Sequence, residues 1–235
     1  MLVPTLATAG LAAAASLAYQ AMAPTGQWLG RTFSGRPDCR QVALTYDDGP
    51  NDPYTLRLVE VLAKHEVKAT FFMIGRYVAA RPDIVRSVVA AGHVVGNHTF
   101  THPNLIFRSA REVRTELLEC QRAIGDAVGE HSKLFRPPFG ARRPATLRMA
   151  RRLGFEPAMW NVTGYDWNAP QVESIERRLR RRLHGGAVFL LHDGGHVSLG
   201  ADRSSTIEAT DRLLAYGKPD GYQFVTLSKM MGEGR

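Results

Sequence analysis

Gln41-Val-Ala-Leu-Thr-Tyr46 is a short apolar run rich in strand formers, and Asp47-Asp48-Gly-Pro50 breaks it off in two carboxylates and a turn. Asn51-Asp52-Pro53 then supplies a cap and a first-turn proline for a helix over Tyr54–Glu66. The alternation continues to the end of the chain. Strands are expected at Ala69–Ile74, Val94–Gly96, Lys133–Phe135, Phe155–Trp160, Ala187–Leu191 and Tyr222–Leu227. Helices are expected at Pro82–Ala91, Arg111–Val128, Pro144–Leu153, Gln171–Leu183 and Ser204–Tyr216. Repeated βα units imply a parallel sheet covered by helices, either a closed barrel or an open doubly wound sheet. No GxGxxG or GxxxxGK[ST] follows a strand, which argues against nucleotide binding of those types.

The 235 residues suffice for one domain with a short appendage. With 44% hydrophobic and 22% charged residues, the composition is that of an ordinary core-forming protein and excludes disorder or a collagen-like chain. Two cysteines cannot build a CxxC zinc ribbon or an iron–sulfur cluster. A net charge of +8 suits an anionic partner, whether nucleic acid, membrane surface or acidic polymer. From Met1 to Gly30 there is no charged side chain, and Thr5–Ala23 is dominated by Ala and Leu. Residues 1–30 are therefore expected to be a signal peptide or a membrane anchor, with a buried helix as the alternative. Residues 31–235 are the expected folded domain.

The chemistry-bearing residues stand at the C-terminal ends of strands, the face on which β/α architectures build their sites. Asp47 and Asp48 follow the first strand, and His98 and His102 lie just beyond Val94–Gly96. Arg136 follows Lys133–Phe135, Asp166 lies in the loop after Trp160, and His192 ends the run Val188–Leu191. Singly these are weak signals: an Asp-Asp before Gly-Pro is commonly a plain turn, and His192 reads equally as a satisfied core residue. Together they form a coherent set. Two imidazoles and a carboxylate make an open-position site for catalytic Zn²⁺ or a similar divalent ion. Of Asp47 and Asp48, one would ligate while its neighbour faces the other way and serves as a base. An arginine beside the base would hold it ionised, and a histidine steered by an aspartate would protonate a leaving group. That is equipment for metal-assisted hydrolysis of an amide or ester.

These residues resemble the NodB-like polysaccharide deacetylases, carbohydrate esterase family 4. Thr45-Tyr-Asp47-Asp48-Gly-Pro50 is similar to the first family motif and His98-Thr-Phe-Thr-His102 to the second. Arg136-Pro-Pro-Phe139, Asp166-Trp167 and Leu190-Leu-His192 match the third, fourth and fifth in order. The resemblance spans about Gln41 to Leu227 and implies an incomplete, distorted (β/α)7–8 barrel, an α/β fold. It implies Asp48, His98 and His102 as metal ligands, with Zn²⁺ foremost and Co²⁺, Ni²⁺ or Mn²⁺ as alternatives. It implies Asp47 as general base, Arg136 paired with it, and His192 as acid tuned by Asp166. The Phe139 backbone N–H would serve the oxyanion, while Tyr46, Trp167 and Leu190 would shape the acetyl pocket and groove. The substrate implied is an N-acetylglucosamine polymer, chitin-like or peptidoglycan, cleaved to release acetate at the cell envelope by an exported enzyme. One position departs: Thr163 stands where the fourth motif often carries an earlier aspartate.

Other features read more plainly. Arg177, Arg178, Arg180, Arg181 and Arg182 occupy the polar side of a helix whose apolar stripe is Val172, Ile175, Leu179 and Leu183. A solvated face therefore fits better than a nucleic-acid patch. Cys120 falls on a core face, and Cys39 could pair with it after export. His196 is close to the site in sequence, which leaves it a minor substrate contact at most. An O-acetyl esterase on a glycan and a non-catalytic glycan-binding module are the alternative functions. Nothing in the sequence specifies an oligomeric state.

Overall fold

The computed structural model describes residues 13, 15–37, 40–168 and 171–232. Cys39 and residues 1–12 lie outside the described residues, so the disulfide and the start of the apolar segment are not addressed by it. Cys120 is a buried free thiol.

Eight parallel strands form one curled sheet, with β1 (Gln41–Gly49) at its centre. β2 (Thr70–Met73), β3 (Val94–Asn97), β4 (Leu134–Phe135) and β5 (Glu156–Pro157) extend it on one side. β7 (Val188–His192) and β6 (Val162–Thr163) extend it on the other, and β8 (Gln223–Val225) pairs with the first residues of β1. Among the described residues no pairing joins β5 to β6, so the barrel is incomplete. Helices α1 (Tyr54–Lys64), α2 (Gly75–Ala80), α3 (Pro82–Ala90), α4 (Ala110–Val128), α5 (Pro144–Arg152), α6 (Val172–Arg181), α7 (Ser204–Gly217) and α8 (Leu227–Met231) surround it.

Strand alternation sorts the core into two. Val42, Leu44 and Tyr46 of β1, Phe71 and Met73 of β2, and Phe189 and Leu191 of β7 pack outward against the helices. Ala43, Phe72, Val188 and Leu190 pack inside the curl with Met159 and Trp160. The inward series of β1 and β7 continues to Asp47 and His192, which are register partners. The site thus grows directly out of the inner core.

The expected strand over Phe155–Trp160 shrinks to Glu156–Pro157, because Ala158–Trp160 crosses the open seam between the two sheet edges. Phe33 makes a single parallel bridge to Ala158 there. Asn51 does not cap α1, whose N-cap Pro53 makes no side-chain bond. Its amide instead donates to the carbonyls of Asp193 and Ala201 (2.9 and 2.8 Å), tying β1 to the loop after β7. On α6, Ile175 and Leu179 are buried while Arg177, Arg180 and Arg181 are exposed, a solvated basic face.

Residues 21–26 pack on the domain. Arg142 is wholly buried and donates to the carbonyls of Ala23 and Gly26 (both 2.7 Å) and of Gly140 (2.9 Å). Its own N–H bonds the Ala21 carbonyl. Among the described residues no helix is long and apolar enough to cross a membrane. Removing residues 1–30 would strip a buried guanidinium of two acceptors, each worth about 1.5–3 kcal/mol. We expect urea unfolding of the 31–235 chain to show a loss of about 3 kcal/mol or more. An unchanged midpoint would mean that Arg142 finds other acceptors.

His93 makes a second stability prediction. Its Nδ1 accepts the Ala69 N–H (3.1 Å), and burial, helped by the Lys68 charge, lowers the imidazole to about 4. The unfolded chain then binds the extra proton between pH 6.5 and 4, so this contribution is complete above pH 6.5 and is lost as pH falls towards 4. Between pH 8 and 4.5 the loss amounts to about 2.5 kcal/mol. The difference in unfolding free energy between wild type and His93→Gln, followed over that range, should shrink by this amount.

Candidate active site

β1 should alternate, yet both of its terminal carboxylates face the same cleft. The pairing register with β2 slips between Asp47 and Gly49, and Asp48 sits at φ 74 in the left-handed region. That bulge turns Asp48 to the side Asp47 already faces, where regular alternation would have separated them. Gly49 follows because Asp193 crowds it: a Cβ there would lie 2.2 Å from the Asp193 carboxylate.

The two histidines come from a loop, not from one helix face. Thr99 and His102 both take positive φ, 66 and 62. Asn97 accepts the Thr99 N–H, and Glu116 of α4 accepts the N–H groups of Phe100 and Thr101 (both 2.8 Å). Thus braced, His98 Nε2 and His102 Nε2 stand 3.6 and 3.2 Å from Asp48 Oδ1. Asp48 Oδ1 is buried and has no hydrogen-bond partner among the described residues. His98 Nδ1 donates to the Arg136 carbonyl (2.8 Å), which leaves its Nε2 lone pair directed inward. Burial lowers His98 to about 4 and His102 to about 3, so both are neutral. Asp48 stays ionised despite burial, through neighbouring His196 and protonated His192. A carboxylate and two neutral imidazoles converging on one point fit a divalent cation.

Asp47 Oδ1 accepts from Arg136 Nη1 (2.7 Å), and its Oδ2 lies 3.6 Å from His98 Nε2. Burial pushes the Asp47 carboxyl up against the opposing pull of Arg136. Arg136 is itself wholly buried, stacked on the Phe72 ring at 4.1 Å. Its other donors go to Thr45 Oγ1 (2.7 Å) and to the Ala158 and Met159 carbonyls (3.3 and 2.9 Å). Those carbonyls lie on the open seam, so the guanidinium fills the place of a missing strand.

Across the cleft His192 Nδ1 bonds Asp166 Oδ1 (2.8 Å), while Asp166 Oδ2 accepts from the His192 N–H and from Thr206 (both 2.8 Å). Burial would lower His192, but Asp166, with Asp48 and Asp47, outweighs it and raises the imidazole to about 9. At neutral pH it carries a proton to give.

The cleft encloses about 580 Å³, and Phe139, Trp160, Trp167 and Leu190 line it with these polar groups. Phe139 adopts φ 58, and its half-exposed ring stands over His102 at 4.7 Å. Tyr165, at φ 54, meets Trp167 at a tilt of 53° (5.2 Å), and Trp167 meets His192 edge-on (5.5 Å). Among the described residues six non-glycine positions have positive φ, and all but Glu66 belong to this region. Backbone strain concentrated this way marks sites where geometry is fixed for chemistry.

One expected groove residue is elsewhere. Tyr46 points away from the cleft, since its neighbour Asp47 points in; it is fully buried, stacked on Phe71, with its hydroxyl 3.1 Å from Thr210 of α7. Trp160, Phe72 and Thr45 serve the site but were not singled out in the sequence, where they read as core. Strand alternation outward from Asp47 would have found Thr45.

Comparison with known proteins identifies the family. The polysaccharide deacetylase family model matches residues 34–158. A peptidoglycan-N-acetylglucosamine deacetylase of Bacillus cereus is 35% identical over 192 residues, 81% of this chain and 87% of that protein. A chitooligosaccharide deacetylase of Sinorhizobium fredii is 38% identical over 190 residues, covering 78% and 87%. Among solved structures, a Bc1960 peptidoglycan N-acetylglucosamine deacetylase superposes with a TM-score of 0.79 at 33% identity, over 85% and 91% of the two chains. A CE4 family pseudoenzyme from Bacillus anthracis superposes equally well, TM-score 0.79 at 33% identity, over 86% and 69%. Shape alone therefore does not decide turnover. On the matched length and the identities, the chain belongs to the polysaccharide deacetylase family, CE4.

Proposed function

We propose that the protein hydrolyses N-acetyl groups of N-acetylglucosamine units in a cell-envelope glycan and releases acetate. The observation that carries this reading is one cleft in which the Asp48–His98–His102 donors are flanked by the Asp47–Arg136 pair and the His192–Asp166 pair. A divalent cation on Asp48, His98 and His102, with Zn²⁺ the first choice, would polarise the acetyl carbonyl and lower the pKa of water. Asp47 takes the proton from the water that adds to the acetyl carbon, held in line by Arg136 Nη1. The Phe139 backbone N–H donates to the oxyanion, and protonated His192 gives its proton to the departing nitrogen. Acetate and a free amine result. Relatives named for peptidoglycan and chitooligosaccharide substrates support this reading.

Between those substrates, the rim favours the anionic one. Arg178 stands over the Tyr165 ring at 5.8 Å, at the outer end of the aromatic series from His192, and the net charge is +8. Carboxylates on a peptidoglycan strand would meet that cation. Full-length protein with Zn²⁺ should release acetate from both N-acetylglucosamine oligomers and peptidoglycan, and a chelator should abolish it. Glycan binding without release would turn the reading towards a binding module. Arg178→Ala should lower kcat/KM on peptidoglycan about fivefold, roughly 1 kcal/mol, and leave neutral oligomers within twofold. Equal losses on both would remove charge as the basis of the preference.

A further inference from the structure

The loop between β7 and α7 is held in place by its backbone. Arg203 Nε donates to the Gly194 carbonyl (2.7 Å), and Arg76 Nη2 donates to the His196 carbonyl (2.6 Å). The Tyr77 hydroxyl adds weaker bonds of 3.3 Å to the Gly195 and His196 carbonyls. Gly194 presses against the chain at Asp48, where a Cβ would come within 2.1 Å of the Asp48 carbonyl oxygen. These anchors deliver the His196 side chain to one place. Its ring stacks on His102, centroids 4.7 Å apart and planes 25° apart, and meets the edge of Phe139 at 5.2 Å. Its Nδ1 lies 3.7 Å from Asp48 Oδ2.

Asp48 Oδ1 faces His98 and His102, so His196 addresses the opposite oxygen of the same carboxylate. That is where outer partners of metal-binding carboxylates stand, orienting the ligand and setting its basicity. The side chain is 43% exposed, so packing does not demand an imidazole there. A closer approach of about 0.7 Å by this half-exposed ring completes a hydrogen bond. We infer that His196 is a positioning residue of the metal centre, holding Asp48 from outside and covering His102 without itself ligating. This rests on the metal site of the proposed function.

The test uses the full-length protein, its His196→Ala and His196→Asn variants, and Asp48→Ala as reference. Zn²⁺ affinity is read by competition with a chromophoric chelator, Co²⁺ coordination by visible absorption, and metal-free stability by thermal melting. His196→Ala should bind Zn²⁺ about tenfold more weakly, with unchanged Co²⁺ band positions and unchanged metal-free melting. His196→Asn, which keeps a donor, should recover part of the loss. Affinity within twofold of wild type overturns the proposal, as does a shift in Co²⁺ bands, which would make His196 a direct ligand. Equal Zn²⁺ binding by wild type and Asp48→Ala would instead overturn the metal site itself.

Discussion

Asp47→Asn is expected to lower kcat for acetate release by about 10³-fold while Zn²⁺ affinity stays within threefold. The amide has the shape of the carboxylate and its oxygen still accepts from Arg136 Nη1, now 2.7 Å from Asp47 Oδ1. It cannot take a proton. Asp47 also stands outside the trio of donors that converge on one point, so the ion should remain. Acetate assays beside a Zn²⁺ titration separate the two roles. If turnover and affinity fall together, Asp47 belongs to the ligand set, and its 3.6 Å approach to His98 Nε2 would be the reason.

Arg136→Met is expected to cost about 3–5 kcal/mol of stability, besides activity, because it leaves a buried carboxylate without its counter-charge. Thr45 Oγ1 and the carbonyls of Ala158 and Met159 lose a donor at the same time. Lysine should not rescue it, since one ammonium cannot reproduce a planar fork aimed in several directions. Combining Arg136→Met with Asp47→Asn removes the stranded charge, so the double variant should unfold at a higher urea concentration than Arg136→Met alone. Additive losses would mean that the seam carbonyls, not the ion pair, carry the cost.

Much of this was legible in the sequence. The nearly all-apolar run Ala187–Leu191 and the apolar run before Asp47 place the strands, and their C-terminal ends place the polar groups. What escaped depends on single dihedrals and on partners far along the chain. Asp48 joins Asp47 only through a bulge at a non-glycine residue with positive φ, which no composition announces. Asn51 reads as a helix cap because it precedes Asp-Pro, yet its side chain is bound to a loop about 150 residues away in sequence. Tyr46 was drawn towards the groove by likeness to a motif, although alternation with Asp47 already sends it to the helices. His196 follows two glycines in a loop without periodicity, and only the anchoring of its carbonyl by Arg76 reveals where it stands.

The guanidinium that fills the seam also bears on how such a fold loses its activity over evolutionary time. One planar cation both closes the curl of the sheet and holds the base, so a lineage drifting away from catalysis that begins by discarding Arg136 gives up stability along with activity. Asp47 and His192, whose side chains bond neither seam carbonyl, are where inactive descendants would first diverge. In such a descendant, an arginine kept opposite a missing carboxylate would record what the cleft once did.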